Sequence, residues 1–340
     1  MNKNLKFFAV TLMVVLGAAC GRSEEVNVYS YRKEALIKPL LDRFSAKTGI
    51  KVNLVTGKAD ALFQRLKNEG ENSPADVLIT VDAGRLHRAM DAGLLQPIDS
   101  TVLNAAVPGH LRDPANHWFG LSVRSRPIMY RKDKVDPARL SSYEALAGPE
   151  WRGRVCIRSS SNIYNQSLLA SMIASDGEAR AEAWARAIVA NMARAPQGND
   201  TAQLKAVAVG ECDIAITNTY YLGRLQNSDD EADRKIGEAI GVFFPNQDGR
   251  GAHINVSGIG VTRHAKNRSG AVKLMEFLVS DEAQAWYAEK NYEYPVKASV
   301  PVSDKIKAWG YPFKMDRLNL ARLGELNATA VKTFDRSGWK

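Results

Sequence analysis

Cysteine and histidine are scarce in this chain. Its 340 residues include three cysteines and five histidines, none of them in a CxxC pair or at a zinc-ligand spacing. Zinc binding and dithiol redox chemistry are therefore not expected. The sequence also lacks a serine nucleophile elbow and a glycine-rich phosphate loop. These absences argue against catalysis, and we do not expect an enzyme.

Long apolar runs are missing after the N-terminus. The apolar stretch at residues 7–16 is about ten residues long, which is too short to span a bilayer. Lysines precede it and the small residues 17–19 follow it, so residues 1–19 are predicted to be a secretory signal peptide. Cys20 then suggests a lipobox and a diacylglyceryl anchor, although Gly17 stands where leucine is usual. Ordinary cleavage to a soluble periplasmic protein is the alternative.

Runs of positive charge are missing too. Lysine and arginine number 46 against 37 acidic residues, a formal net charge of +9, yet no tract of five or more is basic. Nucleic acid is the common partner of a basic protein, but the predicted export argues against it. The charge weakly favours anionic ligands or anionic membrane surfaces.

The two cysteines that remain after Cys20 are Cys156 and Cys212, each in a strand-like run. An even pair of cysteines in an oxidising compartment predicts a disulfide. We expect this bridge to join neighbouring strands of one lobe.

Strand and helix patterns alternate along the first part of the chain. They comprise strands at 26–29, 51–55 and 74–81 and helices at 35–48, 60–69 and 83–92. This alternation predicts an α/β fold whose mostly parallel sheet is flanked by helices on both faces.

The mature chain, roughly 320 residues long, exceeds the usual size of a single core, so two lobes are expected. The extended run 118–130 is predicted to cross from the first lobe to the second, and a return crossing is expected near 240–251. Two crossings make a hinged clamp with the ligand between the lobes. The predicted lobes are residues 26–124 with 252–298 (N-terminal), and residues 125–251 with 299–340 (C-terminal).

Tyr220 and Tyr221 are adjacent and follow a short apolar run that is typical of a buried strand. Two phenols at a strand end in an exported chain suggest a binding site. A phenolate is a hard anionic oxygen, which suits a hard cation such as Fe(III). The alternative is that both rings are buried bulk, as large aromatic side chains mostly are.

Eight short segments, in order along nearly all of the mature chain, carry a family resemblance. They are 26–32 (VNVYSYR), 44–52 (FSAKTGIKV), 73–82 (SPADVLITVD), 118–126 (WFGLSVRSR), 153–158 (GRVCIR), 218–221 (NTYY), 255–258 (NVSG) and 293–296 (EYPV). Together they resemble the bacterial periplasmic ferric-ion-binding proteins, which are substrate-binding subunits of iron ABC transporters.

The resemblance implies a two-lobed periplasmic-binding-protein fold of type II that binds Fe(III). In this family a tyrosine pair and a third tyrosine from an earlier second-lobe loop bind the metal. The matching residues here are Tyr164, Tyr220 and Tyr221. The resemblance also implies a periplasmic location and an iron ABC permease as partner, and we expect a monomer.

The loop after the first strand lacks the histidine that some family members use as a metal ligand. It is similar instead to a subgroup with three tyrosines and a carbonate-like anion, in which an arginine at the position of Arg32 faces the anion. A guanidinium binds a bidentate oxyanion well. Asn162 and Arg124 are further candidates for the anion, with a helix cap and a structural charge as the respective alternatives. Whether Tyr31 or Glu34 contacts the ligand is left open.

A second function is compatible with the same scaffold. The protein would then bind a small anion, such as phosphonate, sulfate or a sugar phosphate, for ABC import. The basic charge balance favours this alternative, whereas the three tyrosines argue against it.

Overall fold

The structure is a computed structural model that describes residues 24–340. The predicted signal peptide and Cys20 lie outside this range and stay predictions. Within the described range, no helix is both long enough and apolar enough to span a membrane.

Nine strands form two sheets in residues 24–340. In chain order they are β1 (Glu25–Ser30), β2 (Lys51–Thr56), β3 (Val77–Val81), β4 (Phe119–Ser125), β5 (Ile128–Arg131), β6 (Val155–Cys156), β7 (Ile214–Ile216), β8 (Ile240–Phe243) and β9 (Ile254–Val261). The first sheet has the order β2-β1-β3-β9-β4, and the second has the order β6-β7-β5-β8. We call the parts of the molecule built on these sheets the first and the second lobe.

Fourteen α-helices accompany these strands in the same range. They are α1 (Glu34–Thr48), α2 (Ala59–Glu69), α3 (Ala83–Asp91), α4 (Thr101–Ala106), α5 (Ile163–Asp176), α6 (Glu178–Asn191), α7 (Asp200–Ala208), α8 (Thr219–Gln226), α9 (Glu231–Glu238), α10 (Arg268–Leu278), α11 (Asp281–Lys290), α12 (Asp304–Lys307), α13 (Ala321–Glu325) and α14 (Asn327–Ser337).

Both sheets are mixed, so the prediction of mostly parallel sheets is wrong. In the first sheet β1 runs parallel to β2 and β3, whereas β9 runs antiparallel to β3 and β4. In the second sheet β6 is parallel to β7, whereas β5 is antiparallel to β7 and β8. A helical crossover makes neighbouring strands parallel when both belong to one sheet. Strands β5 and β9 instead arrive from the other lobe, so this rule does not set their direction.

The first crossing between the lobes has a local cause. Strand β4 ends at Ser125, and Arg126 and Pro127 lead directly to β5 in the other sheet. Proline has no N–H to donate to a strand ladder and therefore interrupts the extended run. The chain returns to the first sheet between β8 and β9.

The C-terminal helices contact both lobes. Helix α14 packs on α5 and α6, whereas α13 packs on both α3 and α5. Helix α3 in turn contacts β3 and β9 of the first sheet. The assignment of residues 299–340 to the C-terminal lobe alone stays a prediction.

The predicted disulfide between Cys156 and Cys212 is present, with Cα atoms 5.8 Å apart. Cys156 ends β6, and Cys212 lies two residues before β7, the parallel neighbour of β6. Both cysteines are buried. The bridge closes a loop with a sequence separation of 56 residues, which contains α5, α6 and α7.

Removing this bridge should destabilise the protein. Replacing both cysteines with alanine frees an unfolded loop of 56 residues, which corresponds to about 4 kcal/mol of unfolding free energy. Urea unfolding of the wild type and the double variant measures the difference. Dithiothreitol should destabilise the wild type by a similar amount and leave the double variant unchanged. A double variant within about 1 kcal/mol of the wild type would contradict this expectation.

Candidate metal centre

The three predicted ligand tyrosines lie in the first turns of two second-lobe helices. Tyr220 and Tyr221 lie at the start of α8, which follows β7 after only Thr217 and Asn218. Tyr164 is the second residue of α5, and its backbone N–H donates to Oδ1 of the N-cap residue Asn162 at 3.1 Å. Helix N-termini carry partial positive charge, which favours the anionic form of a nearby phenol.

The phenols form one cluster. The Tyr220 hydroxyl donates to the Tyr164 hydroxyl at 3.3 Å, and the Asn218 amide donates to the Tyr220 hydroxyl at 3.2 Å. The ring centroids of Tyr220 and Tyr221 are 4.4 Å apart. A cavity of about 210 Å³ opens beside them, lined also by Tyr31, Arg32, Lys33, Leu36, Val81, Arg124 and Arg224. This "tyrosine cavity" therefore combines three phenols with several cationic side chains.

Burial keeps the phenols neutral in the absence of a cation. It raises the pKa of Tyr220 above the ordinary 10.0, although nearby Arg124 opposes the shift. Burial also raises the pKa of Tyr164 and Tyr221, and in each case a neighbouring phenol adds to the effect. At neutral pH these oxygens carry protons unless a cation displaces them. A trivalent ion reverses this preference by stabilising phenolate.

Four arginines surround the three rings. The Arg124 guanidinium lies 5.0 Å from the Tyr220 ring centroid, and that of Arg224 lies 5.1 Å from the same centroid. Arg126 and Arg158 lie 5.9 and 5.7 Å from the Tyr164 centroid. Positive charge at these distances favours phenolate once a proton has been displaced.

Asp200 neutralises part of this charge and orders the cluster. Its two carboxylate oxygens accept hydrogen bonds from Arg126 and Arg158, each at 2.7 Å. Arg126 also donates to Oδ1 of Asn218 at 3.1 Å. Because the Asn218 amide donates to Tyr220, this chain of buried contacts fixes the orientation of the Tyr220 hydroxyl.

Glu293 is the corresponding buried carboxylate in the first lobe. Its Oε2 accepts from Arg32 Nη1 and its Oε1 accepts from Arg124 Nη2, both at 3.0 Å. Ser122 also donates to Oε2. Burial alone would raise the pKa of Glu293, but Arg124 and Arg32 overcome this and lower it to about 2. The carboxylate is therefore ionised at physiological pH.

The two arginines predicted to bind the anion differ in their available donors. Arg32 donates to Glu293 through both terminal nitrogens and to Ser257 through Nη1 at 2.6 Å, which leaves its buried Nε without a partner among residues 24–340. Arg124 gives Nη2 to Glu293, while its buried Nε and Nη1 have no hydrogen-bond partner in the same range. Both side chains line the tyrosine cavity.

Asp82 joins the two lobes beside the tyrosines. It follows β3 with a left-handed φ of 81° and accepts at 2.9 Å from the N–H of Gly84 in α3. Its two oxygens accept from the Ser167 hydroxyl of α5 at 2.7 and 2.9 Å, and Asn255 of β9 donates at 2.8 Å. Burial raises the pKa of Asp82 above its ordinary value. The lobes are thus in direct contact at the base of the cluster.

The remaining candidates are placed differently. Tyr31 lines the tyrosine cavity with the Arg85 guanidinium 4.9 Å from its ring centroid, whereas Glu34 is exposed at the start of α1. In the part of the chain that the structure describes, no group of three or more His, Cys, Asp or Glu side chains could hold a metal. The tyrosines are therefore the candidate ligands.

The sequence analysis missed Arg126, Asp200, Arg224 and Glu293. Arg126 and Glu293 lie in segments that carry the family resemblance, which indicated that these segments matter. It did not indicate the role of either side chain. Arg224 is four residues after Tyr220, a spacing that places both on one helix face. Asp200 gave no distinctive signal, because an aspartate at the start of a helix, here α7, is typical of ordinary capping.

Comparison with known proteins identifies the family. Residues 40–312 match the bacterial extracellular solute-binding proteins. The chain belongs to this family.

Several proteins similar to this chain have names that refer to iron uptake or iron binding. Iron uptake protein A1 of Synechocystis sp. is 55% identical over 320 residues, which cover 94% of this chain and 89% of that protein. A Trichodesmium protein (IdiA, FutA) solved in complex with iron and citrate ligands superimposes with a TM-score of 0.91 at 54% identity, covering 93% of this chain and all 100% of that one. The ferric binding protein from Campylobacter jejuni gives a TM-score of 0.88 at 41% identity, covering 93% of this chain and 100% of that one. The predicted ferric-binding-protein resemblance and two-lobed type II fold are confirmed.

Proposed function

We propose that this chain captures Fe(III) in the periplasm through the phenolates of Tyr164, Tyr220 and Tyr221, together with a synergistic oxyanion. It then delivers the ion to an inner-membrane ABC permease. The observation that carries this proposal is the convergence of three phenols, one buried and two partly buried, on one arginine-lined cavity. The iron-related names of the similar proteins support it.

The ligand chemistry favours a ferric ion. Three phenolates supply hard anionic oxygens and balance the three charges of Fe(III), so the loaded cluster adds no net charge. Softer ligands would be expected for Zn(II) or Cu(I). No His and Cys grouping suited to them occurs in the described residues.

The charge around the cluster leaves room for an anion. Five arginines face two carboxylates, which leaves three positive charges in surplus; the residues are Arg32, Arg124, Arg126, Arg158 and Arg224, with Asp200 and Glu293. A carbonate or similar oxyanion would offset part of this surplus and fill the remaining iron positions. The two unpartnered donors of Arg124 support it as the anion's main partner.

Arg32 and Asn162 stay in the proposal as secondary anion contacts. Arg32 has one unpartnered donor, so a bidentate contact would require part of its pair with Glu293 to open. Asn162 caps α5 through its side-chain oxygen, which leaves its amide N–H groups for an anion.

The small-anion alternative is weaker. Several arginines of the tyrosine cavity would suit phosphonate, sulfate or a sugar phosphate. Three clustered neutral phenols have no evident purpose in such a site, and the relatives are named for iron rather than for these anions.

The family membership supports a role in transport. Bacterial extracellular solute-binding proteins are transport components, which supports delivery to a permease and gives no support to catalysis. We further propose a monomer that is tethered to the membrane through a lipid on Cys20 if the lipobox is processed.

Loading the mature protein with ferric citrate should produce a visible absorbance from phenolate-to-iron charge transfer. A small-anion binder or an enzyme that does not use the tyrosines as ligands would stay colourless. Repeating the loading with carbonate excluded should shift or weaken the band if an oxyanion completes the site. A colourless protein that nevertheless binds sulfate or phosphate would overturn the iron assignment.

A further inference from the structure

Glu293 occupies an unusual place for a carboxylate in a site that has been proposed to take up an anion. Its side chain is fully buried in the first lobe and accepts hydrogen bonds from Arg32, Arg124 and Ser122. The ion pairs with Arg32 and Arg124 are both 3.0 Å long. Burying a negative charge is costly and requires compensating partners. Here the two partners are Arg32 and Arg124, and both line the tyrosine cavity.

This arrangement determines which cationic donors an incoming anion can use. Glu293 takes both terminal nitrogens of Arg32 but only one nitrogen of Arg124. The Nε and Nη1 donors of Arg124 are left buried and without partners in the part of the chain that the structure describes. Glu293 therefore holds Arg124 against the Tyr220 ring while leaving two of its donors available to a ligand.

The same carboxylate also sets the net charge of the cavity wall that Arg32 and Arg124 form. Two guanidinium groups and one carboxylate leave a single uncompensated positive charge between Arg32 and Arg124. The energy of an anion beside this wall scales with the product of the two charges, so a missing carboxylate helps a dianion about twice as much as a monoanion.

We propose that Glu293 is a specificity-determining residue that makes the site prefer a singly charged oxyanion to a doubly charged one. The proposal rests on the function proposed above, because it concerns the anion bound together with Fe(III). It assigns Glu293 no contact with iron. Its effect is exerted through the position and the net charge of Arg124.

The test compares two anions on one protein. The mature chain is loaded with ferric nitrilotriacetate, desalted into anion-free buffer at pH 8, and titrated with hydrogen carbonate or with phosphate, which is mainly a dianion there. The charge-transfer absorbance gives the half-saturating concentration of each anion. Glu293→Gln keeps the shape of the side chain and removes its charge. We expect the preference to shift at least about tenfold toward phosphate.

Two controls separate charge from structure. Glu293→Asp keeps the charge and should shift the preference far less. Asp316→Asn removes a similar ion pair, formed at 2.9 Å with Arg250 away from the tyrosine cavity, and should leave the preference unchanged. If Glu293→Gln does not fold, Arg32→Gln provides the opposite test. That variant removes a positive charge from the same wall, so the preference should shift toward hydrogen carbonate.

The outcomes are distinct. An iron-binding Glu293→Gln variant with an unchanged ratio of half-saturating concentrations would overturn the role of Glu293 while leaving the iron function intact. A wild-type protein that shows no phenolate absorbance with either anion would instead overturn the proposed function itself.

Discussion

Replacing Tyr164, Tyr220 and Tyr221 together with phenylalanine should abolish ferric binding and its colour while the protein stays folded. Phenylalanine keeps each ring and removes each oxygen, so the tilted contact between the rings at 220 and 221 is retained. The phenols line a cavity, and their loss leaves the Asn218 amide without its Tyr220 partner. Iron titration followed by visible absorbance measures binding, and thermal unfolding confirms the fold.

Each single tyrosine-to-phenylalanine variant should lose part of the iron affinity. Tyr221→Phe is expected to weaken iron binding by at least roughly 100-fold, because even residues that only support a ligand contribute 10–100-fold. Tyr130→Phe is a matched control, because Tyr130 lies in β5 of the same lobe and does not line the tyrosine cavity. Full colour and affinity in the triple variant would show that the tyrosines are packing residues.

The local patterns of the sequence predict α5, the helix that carries Tyr164, and the neighbouring helix α6. The sequence pattern predicts helices at 166–175 and 178–191, and the structure has α5 at Ile163–Asp176 and α6 at Glu178–Asn191. The start of α5 differs by three residues because Asn162 caps the helix earlier than the apolar pattern begins. Cap geometry is decided by one hydrogen bond, which periodicity does not show.

Long-range partners could not be predicted in the same way. Glu293 and Arg32 are 261 positions apart in sequence, yet they form a bidentate buried pair. Asp82 and Ser167 meet only because the two lobes come together, and the positive φ of Asp82 is uncommon for any residue other than glycine. A family resemblance identifies segments that matter, but the pairing of their charges depends on the tertiary structure.

Ferric binding should depend steeply on pH. Burial raises the pKa of all three phenols, so iron must displace three protons from them at neutral pH. The apparent affinity should therefore rise by up to about three decades per pH unit between pH 5 and 8, once chelator protonation is corrected. Acid correspondingly favours release. Competition against citrate at several pH values measures the slope, and a pH-stat measures the released protons directly.

The other buried groups near the cluster allow this slope to be assigned. Glu293, with a pKa lowered to about 2, stays ionised throughout that range, and His253, with a pKa lowered to about 3 mainly by burial, stays neutral. Burial raises the pKa of Asp82 above its ordinary value, so Asp82 is the group to test against the phenols. Tyr221→Phe removes one of the protons that iron displaces and should reduce the slope by about one proton, whereas Asp82→Asn should leave the slope unchanged because Asp82 is not a proposed ligand. If Asp82→Asn alone reduces the slope, the pH dependence arises from the contact between the lobes and not from the phenols.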